Sequence, residues 1–109
     1  MIPEELSIKT IKKVYKQIKP YINTTPLIKT NKHIDETFNS NIYLKYECFQ
    51  KSGSFKARGA INNILSSSEK DLENGITAVS AGNHAIAVSY AANIFNHKNK
   101  IFLYKSANK

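Results

Sequence analysis

Apolar residues at Ile8, Ile11, Tyr15, Ile18 and Ile22 recur at the three-and-four spacing of a helix, and Lys9, Lys12, Lys13, Lys16 and Lys19 fall on the other side. The pattern predicts a helix from about Ser7 to Lys19, stopped by Pro20, which has no N–H to continue the ladder. A short extended piece, Pro26 to Thr30, follows. The polar stretch from Asn31 to Asn41 has room for one helical turn or two, and Ile42 to Glu47 reads as a strand. Gly53-Ser54 looks like a loop closing in an N-cap. After it, Ala57, Ala60, Ile61, Ile64 and Leu65 mark one buried face of a second helix. Ser66-Ser67-Ser68-Glu69 is suited to capping a short helix that ends near Asn74-Gly75. The remainder alternates: a strand at Ile76 to Val79, a glycine turn at Ser80 to Asn83, an Ala-rich amphipathic helix, and a strand from Lys100 to Lys105. Such alternation predicts an α/β architecture with parallel strands, its ligand loops at the strands' C-terminal ends.

Composition changes this picture little. A length of 109 residues is about one domain. The formal charge of +8 invites a nucleic-acid reading, but fifteen lysines stand against one arginine, with fourteen Ile and twelve Asn. That is the bias of an AT-rich genome; base and phosphate readers favour the bidentate arginine fork. The first helix's lysines read as a solvated face, and no nucleic-acid partner is expected. The single arginine, Arg58, falls where a planar guanidinium would do something lysine cannot. Cys48 is alone, which excludes an intrachain disulfide, and it reads as a small buried hydrophobe. The acidic start, Met1 to Glu5, is unlike a signal peptide, and no run approaches the ~18 apolar residues of a membrane span. The expected compartment is the cytoplasm, without membrane association.

Candidate chemistry concentrates at two places. Lys56 falls where the Gly53-Ser54 loop turns into a helix, with Phe55 beside it as an apolar wall. Desolvation lowers a lysine's pKa and frees its amine to attack a carbonyl. Among fifteen lysines a solvated charge is the ordinary role, so the assignment leans on a second motif. Val79 to Ala85, VSAGNHA, joins a strand end, a Gly turn and a helix start, which gathers backbone N–H groups able to receive a carboxylate or phosphate. Asn83 could equally be an N-cap. His84 has no second ligand near it in sequence, and no metal site is expected.

Together these motifs resemble the pyridoxal-phosphate (PLP) enzymes of the tryptophan-synthase β, or fold-type II, group, and most closely the threonine dehydratase and serine racemase family. The resemblance runs through Thr25-Pro26-Leu27, Leu44-Lys45 with Glu47, Gln50 to Ala60 (QKSGSFKARGA), Ser80 to Ala85 (SAGNHA) and Tyr90-Ala91-Ala92. It implies that Lys56 binds pyridoxal 5'-phosphate covalently, that Phe55 packs against the cofactor ring and that Asn83 bonds its phenolic oxygen. Ser80, Ala81, Gly82, Asn83 and His84 become the loop that grips the substrate carboxylate. One departure is Ile86, where the family commonly has Gln. Another is Ala81, where the resembling serine racemases carry a serine.

The family's enzymes are far longer and have two α/β domains with the cofactor between them. The chain is therefore expected to be an N-terminal fragment or truncated product, incomplete as a fold. Its end reads as the strand from Lys100 to Lys105 followed by Ser106 to Lys109, with no terminating element. None of the four glycines, Gly53, Gly59, Gly75 and Gly82, forms the family's phosphate loop. By resemblance, residues 1–53 would belong to the large domain and 54–109 to the small one. The expected activity is a threonine/serine ammonia-lyase (dehydratase) reaction on L-threonine or L-serine, giving a 2-oxo acid and ammonia, in a homo-oligomeric full-length form. The alternative is a non-catalytic remnant or regulatory binding module, and a third option is serine racemase. The 109 residues alone are expected to be inactive.

Overall fold

The computed structural model describes residues 6–105; the acidic start at 1–5 and the tail at 106–109 lie outside the described residues. Helix α1 spans Ile8–Ile18 and is capped by Ser7, whose hydroxyl accepts from the Thr10 N–H at 3.1 Å. Pro20 then sits inside a 3-10 turn, Lys19–Tyr21, so the chain tightens before it leaves the helical path. Strand β1 (Leu27–Lys29), helix α2 (Lys32–Thr37) and strand β2 (Tyr43–Lys45) follow. Two more 3-10 turns, Glu47–Phe49 and Lys51–Gly53, lead into α3 (Lys56–Ser66). The rest is α4 (Glu69–Leu72), β3 (Ile76–Val79), α5 (Asn83–Ile94) and β4 (Asn99–Phe102). Among the described residues no helix is long and apolar enough to cross a membrane.

The core lies between α3 and α5. Ala57, Ala60, Ile61 and Ile64 of α3 meet Ala87, Val88, Ala91 and Ala92 of α5, with Ala78 of β3 beneath and Ile18 of α1 at the edge. Six of these ten residues are alanines, five of them on α3 and α5, so the two helices approach closely. Ile61 is the large side chain at their centre, fully buried. Tyr21 and Phe95 close one end of this layer edge to face, 4.8 Å between ring centroids.

The two sheets differ in sense. β3 and β4 pair in parallel, Ile76 opposite Asn99 through Val79 opposite Phe102, as alternation with α5 requires. β1 and β2 pair antiparallel, Leu27 opposite Lys45, contrary to the all-parallel expectation. The link between them, residues 30–42, holds only the six-residue helix α2 and turns the chain back instead of carrying it across the sheet, and α2 is held by a local cap: Asn31 Oδ1 accepts from the Ile34 N–H at 3.1 Å. Asp35 ties this unit together. It accepts from the Ile42 N–H (3.0 Å) and Thr30 Oγ1 (2.8 Å) and pairs with Lys29 at 3.3 Å, which holds its carboxyl below the usual range.

Three sequence expectations change. Only Ile18 of the first helix's apolar stripe is buried; Ile8, Ile11 and Tyr15 are exposed, because α1 packs on α3 along one end of its stripe only. Cys48 is exposed in a 3-10 turn, not a buried hydrophobe. Leu65 lies at the rim of the α3 face. The serine run before α4 does cap it: Ser68 and Asp71 form a reciprocal capping box, and Gly75 adopts φ +85 beyond the helix.

Candidate active site

Lys56 is the first residue of α3. Ser54, expected to cap that helix, does not: Phe55 holds the cap position in a helical conformation without a side-chain bond, and Ser54 is extended, with a buried hydroxyl that has no partner within the protein. The turn before it is strained. Ser52 has φ 60, uncommon for a residue with a Cβ, Gly53 has φ 69, and the Ser52 hydroxyl is also buried without a partner. Two unsatisfied hydroxyls beside a strained turn are costly in a folded protein. The Lys56 amine is half-buried and makes no hydrogen bond or ion pair among the described residues, and Phe55 is exposed.

Beside it lies a dense polar junction. Arg58, in the same first turn, donates through Nε and Nη2 to the two carboxylate oxygens of Glu47, each at 2.8 Å. Thr25 Oγ1 donates to the same carboxylate, and Lys45 Nζ donates to the Thr25 carbonyl at 2.7 Å. The Arg58 fork, reinforced by Thr25, pushes the Glu47 carboxyl down to about 2, against the opposing cost of desolvation. Gln50, also buried, locks onto Asn23 in both directions: Oε1 accepts from the Asn23 N–H at 2.8 Å and Nε2 donates to the Asn23 carbonyl at 2.9 Å. Asn23 Nδ2 adds a bond to the Phe49 carbonyl at 2.9 Å. The lone arginine thus does what lysine could not. Glu47, Thr25 and Gln50 stand in the matched sequence segments, but their partnership crosses 11 to 27 positions and has no local signal.

The second motif forms the bend between β3 and α5. The Ser80 N–H donates to the Phe102 carbonyl at 3.1 Å, which extends the parallel ladder by one bond, and Ser80 Oγ accepts from the Gly82 N–H at 3.3 Å. Gly82, not Asn83, takes the cap position, and Asn83 opens α5. Ala81, Gly82, Asn83 and His84 are exposed, and the side chains of Asn83 and His84 make no hydrogen bond among the described residues. With no side-chain cap, the first N–H groups of this twelve-residue helix are free to face an anion.

The two motifs meet across a cleft of about 320 Å³, lined by Gly59, Ala60, Asn63 and Ile64 of α3, Ile76 and Thr77 of β3, and His84 and Val88 of α5. Gly59, Ala60 and Asn63 stand three, four and seven residues after Lys56, so Lys56 heads the stripe of α3 that walls this cleft. The other predicted residues do not line it. Ala81 and Gly82 border a groove between α5 and β4 with Ile86 and Leu103, and Phe55 borders one with Tyr15, Glu47 and Arg58. Asn63 and Thr77 line the cleft with no signal in the sequence, because only the packing of α5 against both α3 and β3 brings these elements together.

A family profile described as pyridoxal-phosphate dependent enzyme matches residues 18–109. The chain belongs to this family. It is 44% identical over 89 residues to a serine racemase of Dictyostelium discoideum, covering 82% of this chain and 27% of that protein. It is 42% identical over 98 residues to a biosynthetic L-threonine dehydratase of Staphylococcus saprophyticus, covering 90% and 23%. The solved structure of the Dictyostelium serine racemase superposes with a TM-score of 0.83 at 39% identity, covering 94% of this chain and 34% of that one. The fold is therefore that of the fold-type II PLP enzymes, and pyridoxal phosphate is the family's cofactor. The chain spans about a quarter of the length of the curated relatives it matches.

Proposed function

We propose that these residues carry the lysine and the substrate-carboxylate loop of a PLP-dependent threonine/serine ammonia-lyase. The observation that carries the reading is the partnerless Lys56 amine at the head of the α3 stripe that shares a cleft with the uncapped start of α5. Lys56, Phe55 and Asn83 would hold the cofactor. The free Lys56 amine, the free Asn83 amide and the orphaned Ser52 and Ser54 hydroxyls suit a polar ligand there. Pyridoxal phosphate, when bound, supplies the sink for the electron pair left at the substrate Cα. Ser80 to His84 bind the substrate carboxylate through the N–H groups at the α5 start and so orient Cα–H toward Lys56, whose Nζ takes the proton. Elimination of the β-hydroxyl then yields a 2-oxo acid and ammonia. The two separate two-stranded sheets support a division between residues 1–53, in the large domain, and 54–109, in the small one.

A second reading, racemisation of serine, is favoured by the 44% identity to the Dictyostelium enzyme. The two part at Ala81. Inverting an α-carbon needs a proton donor on the face opposite Lys56, and a methyl group has no proton to give, whereas dehydration works from one face. The test is a chimera in which residues 1–109 replace the matching segment of the Staphylococcus dehydratase. With L-threonine it should release 2-oxobutanoate, and with L-serine it should release pyruvate with little D-serine by chiral chromatography. D-serine forming as fast as pyruvate would overturn the dehydratase reading. In the same chimera Lys56→Ala should abolish both products and the covalent attachment of PLP, and retained attachment would refute the lysine assignment. The 109 residues by themselves should release no 2-oxobutanoate.

A further inference from the structure

The helix that carries Lys56 begins without the usual means of holding a helix N-terminus. Phe55 makes no side-chain cap bond, and the Ser54 hydroxyl, on a residue only 6% exposed, has no partner. Arg58 in the first turn adds a second problem, since a cation there opposes the helix dipole. Glu47 resolves the second. It neutralises Arg58, and its carboxylate is the point where three separated pieces converge: the segment before β1 through Thr25, the turn after β2 through Glu47 itself, and the first turn of α3 through Arg58. At 3.6 residues per turn Arg58 stands about 200° around the helix from Lys56. A fork held rigidly on one side of the helix therefore sets the direction in which the amine leaves the other side.

We propose that Glu47 is a positioning residue for Lys56. By gripping Arg58 in a two-bond fork it fixes the rotation of the first turn of α3, and thereby aims the Lys56 amine along the stripe toward the His84 cleft. The proposal rests on the assignment of Lys56 given above. Glu47 touches neither cofactor nor substrate and acts only through Arg58. The fork is the essential part, because a lysine at position 58 would keep the charge and lose the planar geometry that defines an angle.

The test uses the chimera in which residues 1–109 replace the matching segment of the Staphylococcus dehydratase. It is loaded with pyridoxal phosphate and reduced with borohydride, and the share of label on each of the fifteen lysines of residues 1–109 is read by mass spectrometry. Amide hydrogen exchange across α3 is followed in parallel. In the unsubstituted chain the label should concentrate on Lys56. In Glu47→Gln the Lys56 share should fall about tenfold, the scale of one lost charge-assisted hydrogen bond, while exchange quickens in the first turn and stays slow around Ile61. Glu47→Asp, which keeps the charge, should recover part of the share. Arg58→Lys should lose it as Glu47→Gln does, and it decides the matter if Glu47→Gln does not fold. A folded Glu47→Gln or Arg58→Lys variant that labels Lys56 like the unsubstituted chain overturns the positioning role and leaves Lys56 as the cofactor lysine. Label spread evenly over all lysines in the unsubstituted chain overturns the lysine assignment, and the positioning role with it.

Discussion

The stretch before Gly53 and the stretch after it are held together by different physics. Of the ten buried apolar residues among those described, only Ile18 precedes Gly53, and every residue of β1 and β2 is exposed. The earlier part relies on directional bonds: Asp35 to Thr30, Ile42 and Lys29, Gln50 to Asn23, and Glu47 to Thr25 and Arg58. The later part relies on α3 pressed against α5. Lys56 stands at the seam, with an apolar core behind it and a polar junction beside it. Apolar burial gives bulk stability and little angular definition, whereas forked hydrogen bonds give angle and less energy. A site that needs a stable helix pointed in one direction draws on both.

The apolar side of this contrast should break most severely at Ile61. Ile61→Ala removes the one large fully buried side chain between α3 and α5, and should cost about 3 to 4 kcal/mol in urea unfolding followed by far-ultraviolet circular dichroism. Loss below about 1 kcal/mol would mean the helices collapse onto one another and the core is not the dominant support.

Gly75→Ala probes how the later part delivers its strand. At φ +85 an added Cβ would lie 2.7 Å from the Lys98 carbonyl, the acceptor for the Ile76 N–H at 2.8 Å, so the first bond of the parallel ladder must shift. A loss of roughly 2 kcal/mol is expected by the same denaturation measurement.

Acid separates the two regions directly. Glu47 has a folded-state value of about 2 against an ordinary 4.5, so its contribution is fully present above pH about 4.5 and is lost as pH falls through about 2. Hydrogen exchange between pH 5 and 2 should show the junction around Glu47, Thr25 and Arg58 loosening while the α3–α5 core stays protected. Removing the fork with Arg58→Ala at neutral pH should cost about 2 kcal/mol and flatten that acid dependence.

The smallest effect belongs to the α4 cap. Ser68→Ala breaks the capping box with Asp71 on an exposed four-residue helix, and should cost about 1 kcal/mol or less without altering the labelling of Lys56. A change in that labelling would show that α4 supports the site and would blur the division drawn here.

Local patterns carried much of this protein. The stripe of α3, the strand Ile76–Val79, the serine cap of α4 and the glycine stop at Gly75 all depend on neighbours within about a turn, so residue type and spacing were enough. The two chemical motifs were legible for the same reason, each being a loop running into a helix. Long-range pairing was not. Whether β1 meets β2 antiparallel, which end of α1's apolar stripe is covered and whether Cys48 is buried depend on which surfaces arrive opposite one another. Ser54 has the right identity and place for an N-cap, yet the strained Ser52-Gly53 turn buries its hydroxyl and passes the cap position to Phe55. Arg58 was conspicuous as the only arginine, but its partner 11 positions earlier became visible only when the turn after β2 folded back onto α3. Sequence determined the elements and the candidate chemistry because those are local; tertiary structure alone decided how the helix that begins at Lys56 meets α5 and Glu47, because an angle between elements is fixed by contacts between residues far apart in the chain.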